Sequence, residues 1–177
     1  MTHHTMQTPR ASLAEIADKL EIHELFGRYA LSIDAYDSAG WASCFAPDGV
    51  FVIDGGSGGE QYAFEGREAL VAFADAHARL FPGTRHMQCD HVTEIDGDTA
   101  YDRCTKTGHV TRPDRVYTFS AGWYETWLRR IDERWRITKR VVHNDNFDPE
   151  QFRTGEVGQL FGELNRWVTA NASRNVG

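Results

Sequence analysis

Between Ser12 and Asp34 the apolar side chains fall at Leu13, Ile16, Leu20, Ile22, Leu25, Phe26, Tyr29 and Ile33. Intervals of mostly three and four predict one long amphipathic helix. Ser12 and Glu15 supply a capping box at its start, where each side chain can satisfy a backbone N–H that the helix leaves unpaired. A shorter helix is predicted within "DSAGWASCFA", ended by the turn Pro47-Asp48-Gly49. The β-branched and aromatic run "VFVID" predicts a strand, and "GGSGGE" after it a loop. "EGREALVAFADAHARLF" returns to helical spacing through Leu70, Val71, Phe73, Ala74 and Leu80, with Pro82-Gly83 as its stop and His77 expected on or near the solvent face. Four long strands follow at about 84–95, 98–111, 116–131 and 134–144, joined by short turns. From Asp148 an uneven helix carries Leu160, Phe161, Leu164, Trp167 and Val168. Helices followed by an antiparallel meander predict an α+β fold: a curved antiparallel sheet wrapped around the long N-terminal helix, a cone-shaped barrel with an open mouth. Such a mouth suits a small molecule.

Composition narrows the classes. A chain of 177 residues, 41% hydrophobic and 12% aromatic, fits one domain with a sizeable core. The expected layout is a disordered tail over 1–11, a domain over 12–149, and a helical extension of the same domain over 150–177. A net charge of −7 with no basic stripe speaks against nucleic-acid binding. Cys44, Cys89 and Cys104 form no C-x-x-C pair, and an odd count gives no disulfide framework. With no apolar leader and no 18-residue apolar run, a cytoplasmic protein without membrane contact is expected. The glycine-rich loop lacks the Gly-Lys-[Ser/Thr] ending of a phosphate cradle, and neither a dinucleotide fingerprint nor a Gly-x-Ser-x-Gly elbow is present.

The polar positions that interrupt the apolar pattern are the candidates for chemistry. Asp34 lies at the margin of the first helix's apolar stripe and near its C-terminus, where the backbone dipole disfavours a negative charge. On the first long strand the period of two puts His86, Gln88 and Asp90 on one face; taking Val92 as the marker of the inner face, all three point inward. On the last strand Arg140 shares a face with Thr138, Val142 and Asn144, opposite Trp135 and Ile137. Tyr29 and Phe26 belong to the apolar stripe of the first helix. His109 sits on the second long strand, where a slip of one residue reverses its face. His91 and His143 fall on less favourable faces. No metal site is expected, because His86 and His91 are five apart and face opposite sides unless a bulge intervenes.

Three segments carry a family resemblance: "ELFGRYALSIDAYDSAGWASCFAPDGVF", "TRHMQCDHVTEIDGDTA" and "GWYETWLRRIDERWRITKRVVHNDNFDP". Across nearly all of residues 12–149 the chain resembles the SnoaL-like branch of the nuclear-transport-factor-2-like superfamily, which includes scytalone dehydratase and hexachlorocyclohexane dehydrochlorinase. The resemblance implies that Asp34 and His86 form a catalytic pair, with Tyr29, Arg140 and His109 as helpers at the leaving group or carbonyl. A carboxylate on one ring nitrogen fixes the imidazole tautomer and raises the basicity of the other, as proton abstraction from carbon requires. The expected activity is that of a cofactor-independent lyase, a dehydratase or related β-elimination enzyme acting on a small apolar cyclic substrate. Phe26, Gln88, Asp90, Val142 and Asn144 are expected to contact that substrate. An isomerase or cyclase using the same abstraction, or a non-catalytic binding module, are the alternatives. An outer sheet face carrying Trp123, Trp127 or Tyr124 predicts a homo-oligomer; the resemblance implies a trimer before a dimer.

Overall fold

The computed structural model describes residues 11–54, 61–145 and 155–175. The expected tail up to residue 10, the glycine-rich loop 55–60 and residues 146–154 lie outside them. Helix α1 (Leu13–Asp34) begins as its capping box predicts, Ser12 Oγ accepting from the Glu15 backbone N–H at 3.1 Å. Ile22, Leu25, Phe26, Tyr29 and Ile33 form its buried stripe, whereas Leu13 and Leu20 remain exposed. The helix is fastened to the sheet by Asp18, which accepts from Arg130 Nη2 at 2.8 Å and from Trp135 Nε1 at 3.2 Å.

After α2 (Ser38–Ser43) come β1 (Phe45–Asp54), β2 (Gln61–Glu65), α3 (Gly66–Leu80), β3 (Thr84–Asp96), β4 (Thr99–Thr111), β5 (Val116–Ile131), β6 (Arg134–Asn144), α4 (Glu156–Asn171) and β7 (Ser173–Asn175). They form an α+β fold with one sheet in the order β3-β4-β5-β6-β1-β2-β7, in which only β1 and β6 run parallel. Strand β1 starts five residues before the expected "VFVID", and Pro47-Asp48-Gly49 is an irregularity inside it, where the register with β6 shifts between Phe45 and Val50. The segment "QYAFE" and the short β7 add strands that their composition did not reveal.

Three further register shifts bend the sheet. Asp90 and His91 together oppose one residue of β4, Phe119 is inserted between the pairs Gly108–Ser120 and His109–Thr118, and Thr138 between Lys139–Trp127 and Ile137–Leu128. A bulge increases local twist and shifts every later side chain to the other face. The bent sheet closes over α1, with Trp41, Phe45, Phe51, Phe64, Leu70 and Phe73 packed in the core. No helix among the described residues is long and apolar enough to cross a membrane.

Candidate active site

Helix α1 runs through to Asp34 and stops there because the chain turns at Tyr36, whose φ is 63°. The Tyr36 hydroxyl accepts from Gly83 N at 2.7 Å, and Arg85 Nη1 donates to the Asp34 carbonyl at 3.2 Å. These contacts hold the helix end against the beginning of β3. The Asp34 carboxylate then receives two donors from one residue: the backbone N–H of His86 reaches Oδ2 at 2.9 Å and ring Nδ1 meets Oδ1 at 2.7 Å. An acid that the helix dipole disfavours is thus compensated from the sheet. Both side chains are largely buried, at 10% and 15% exposure. Because a carboxylate only accepts, Nδ1 is the donor, and in the neutral ring this tautomer puts the lone pair on Nε2.

The ring of His86 lines a cavity of about 120 Å³. Tyr29 and Ile33 of α1, Trp41 of α2 and Phe51 and Ile53 of β1 form one side, and Phe119, Tyr124 and Val142 of the sheet another. Helix α4 covers it with Phe161, Leu164, Asn165 and Val168. The C-terminal segment therefore contributes directly to the cavity wall. An apolar cavity of about 150 Å³ accepts benzene, so this one has the scale of a single ring. Burial pushes the Tyr29 and Tyr124 hydroxyls above the ordinary tyrosine pKa, so both stay protonated.

Among the polar residues of the wall that were not expected, two are basic, His77 and Lys106. His77 is buried, not solvent-facing, and its ring centroid lies 5.5 Å from that of His86. Burial, followed by the charge of His86, pulls it down to about 3, so it is a neutral imidazole. The signal was present: Leu70, Phe73, Ala74 and His77 occupy i, i+3, i+4 and i+7 of α3, and His77 completes that stripe. The second residue is Lys106, whose ammonium donates to Ser120 Oγ and, at 2.6 Å, to Asn144 Oδ1. Burial draws it down to about 8, with Asp145 opposing and Arg140 adding to the shift.

Of the residues the sequence nominated, Asp34 and His86 are brought together, and Tyr29, His86, Val142 and Asn144 line the cavity. The others stand elsewhere for identifiable reasons. On β4 the even positions Ala100 to Val110 face inward without interruption, so His109 faces away from the cavity and its Nδ1 meets Thr118 Oγ1 at 3.3 Å. Asp90 takes a left-handed conformation, φ 57°, in the β3 bulge and is exposed, accepting from Thr105 Oγ1 at 2.8 Å. The same bulge reverses the parity of the strand: Val92 is exposed and does not mark the inner face, although His86 and Gln88 do point inward. Gln88 is occupied behind the wall, donating to the Phe26 carbonyl at 3.3 Å and accepting from Arg140. Arg140 is fully buried but does not reach the cavity; its guanidinium lies 3.9 Å from the Tyr124 ring centroid, 4.3 Å from Tyr29 and 4.9 Å from Phe26. It is a cationic support beneath the aromatic wall, and Phe26 belongs to that layer. The Thr138 bulge lets Arg140 and Ile137 face the same side, contrary to simple alternation. Tyr124 likewise points inward, leaving Trp123 and Trp127 on the outer face without it.

The β3 bulge also turns His91 inward. Its Nδ1 meets Asp102 Oδ1 at 3.1 Å, and Thr93 Oγ1 donates to Asp102 Oδ2 at 2.7 Å. Burial alone would lower the pKa of His91, but the bond to Asp102 overrides it and pushes the ring up to about 9. Cys104 stands beside them, and the three residues offer metal-capable atoms within 4.8 Å of one another. The Asp102 carboxylate is already engaged by the His91 ring and the Thr93 hydroxyl, so this group has the chemistry of a buried ion pair.

Fold and site geometry together define the class. The family model of the SnoaL-like domain matches residues 14–141, and the chain belongs to that family. Its nuclear-transport-factor-2-like superfamily includes dehydratases, isomerases and cyclases. Among curated proteins, the uncharacterised Rv2910c of Mycobacterium tuberculosis is 29% identical over 133 residues, 73% of this chain and 87% of that one. A solved structure of Rv3472 from the same organism, a protein of unknown function carrying an Asp-to-Asn substitution, superposes with a TM-score of 0.82 at 30% identity, over 93% of this chain and 96% of that one. A Novosphingobium aromaticivorans NTF2-like protein with a cystatin-like fold has a TM-score of 0.63 at 24% identity, over 75% and 90% of the two chains, and shows the fold alone.

Proposed function

We propose that the protein is a cofactor-independent lyase of the dehydratase type, acting on a small, mostly apolar compound of about one ring. The observation that carries this reading is the double hydrogen bond from His86 to Asp34 at the cavity wall. It leaves Nε2 as a base whose ring the carboxylate orients and whose protonated form that carboxylate stabilises. In the proposed step Nε2 removes a proton from the carbon beside a carbonyl. The electron pair becomes the enolate, and its return expels a β-hydroxyl. The imidazolium gives its proton to that hydroxyl, so that alkene and water leave and the base is restored. Tyr29, a protonated hydroxyl on the same wall, is proposed to hold the leaving oxygen. Water release from single-ring β-hydroxy ketones tests the reading. His86→Ala and Asp34→Asn are each expected to lower turnover about 10²–10⁴-fold with the fold intact, the usual weight of a positioned base. Variants as active as the wild type would defeat it.

We also propose that copies of the chain associate through the outer sheet face, a trimer before a dimer. Met87, Val92 and Trp127 are exposed there.

A further inference from the structure

Lys106 lies on the same cavity as His86, and the sheet register explains how it is held. Lys106, Gly122 and Asn144 are paired in one row across β4, β5 and β6. Gly122 has a φ of 145°, and a Cβ there would stand 2.2 Å from the His143 carbonyl oxygen. The row has no side chain at its centre, and Lys106 and Asn144 meet across it. Ser120, two residues earlier on β5, donates to the same Asn144 oxygen at 2.8 Å and accepts from Lys106. Two of the three ammonium protons are thus engaged by side-chain oxygens, and the ammonium also lies 5.7 Å from the Tyr124 ring centroid. Lys106, Ser120 and Asn144 all line the cavity. His86 pairs with Gly108, so Lys106 is its diagonal neighbour on the inner face, at roughly 7–8 Å between backbones, a separation that one ring spans.

We propose that Lys106, positioned by Ser120 and Asn144, binds the oxygen of the substrate that becomes negative when His86 removes the proton. This rests on the proton-abstraction reading above and names the substrate class: a single-ring compound whose carbonyl or phenolic oxygen is conjugated to the carbon that loses the proton. The ammonium hydrogen bond strengthens as the carbonyl oxygen becomes an enolate oxygen, in a site with little water to compete. No bond forms to the lysine; the charge moves from the breaking C–H bond to the oxygen and returns when the hydroxyl departs.

The test is a binding experiment with the full chain, independent of turnover. 4-Nitrophenolate serves as the oxyanion and 4-nitroanisole as its uncharged methyl ether, titrated calorimetrically at a pH where the phenol is ionised and Lys106 protonated. The wild type is expected to bind the phenolate at least about tenfold more tightly than the ether. Lys106→Met and Lys106→Gln are each expected to lose about ten- to a hundredfold on the phenolate and to bind the ether unchanged, the weight of one charge-assisted hydrogen bond. The Ser120–Asn144 bond survives either substitution, so both variants are expected to fold. Phenolate affinity of the wild type should also fall as pH rises through about 8, and that of the variants should not. His86→Ala should keep the phenolate preference, so failure of the base and failure of the oxygen site are distinguishable. Equal phenolate affinity in the wild type and both lysine variants, or a wild type without preference for the phenolate, would overturn the proposal.

Discussion

A neutral imidazole buried against the His86 ring carries a cost in acid. His77 has a folded pKa of about 3 against an ordinary 6.5, so between those values the unfolded chain binds a proton that the folded one does not. Its contribution to stability is present above about 6.5 and is lost as pH falls toward 3. His91 has the opposite sign. Raised to about 9, it contributes fully below 6.5 and progressively less as pH rises through 9. Urea unfolding of the wild type and of His77→Phe and His91→Gln should show the acid-side slope reduced in the first variant and the alkaline-side slope reduced in the second. Taking each difference from wild type removes the Lys106 term, which makes the fold gain stability from about 8 upward. Parallel slopes in wild type and variants would contradict these assignments. The Asp34–His86 contact was legible through the family resemblance; counting along β3 put His86 inward only by way of Val92, which lies beyond the bulge and is exposed. His77 was legible too, since its spacing from Leu70 is that of the buried stripe, but polarity outweighed position.

At the scale of elements, bulges decide which side chains meet the cavity. One inserted residue leaves no mark in composition, so alternation along β3, β5 and β6 holds only between insertions. This is why Asp90, placed by counting, is exposed, and why Arg140 and Ile137 share a side. On β4, which has no insertion of its own, His109 was misplaced only through an unknown register. Glycines give the complementary device. Gly122 puts no side chain into the row across which Lys106 and Asn144 meet, and its conformation belongs to glycine alone. Gly122→Val is expected to cost about 1–3 kcal/mol through the backbone alone, with more from the collision at the His143 carbonyl. A urea midpoint indistinguishable from wild type would contradict that.

For the whole molecule, the order of helices and strands was sufficient to indicate a curved sheet around a long helix, and the family follows from the same motifs. What the chain could not declare was how α4 returns over the mouth, because contacts of Phe161 with Phe81 and Phe119 join segments far apart in sequence. Tyr124 faces inward, and Trp123 on the outer face is stacked on His143 at 4.9 Å. The proposed assembly therefore relies on Met87, Val92 and Trp127, and light scattering after size exclusion should give a mass of three chains or two. A monomer at micromolar concentration would contradict it. The central claim, that Asp34 makes His86 a base toward carbon, is tested most directly by deuterium uptake. Single-ring ketones incubated with the protein in D₂O should gain deuterium beside the carbonyl, and His86→Ala and Asp34→Asn should slow that uptake about a hundredfold or more. No uptake with the wild type, or uptake at the wild-type rate in both variants, would contradict the account.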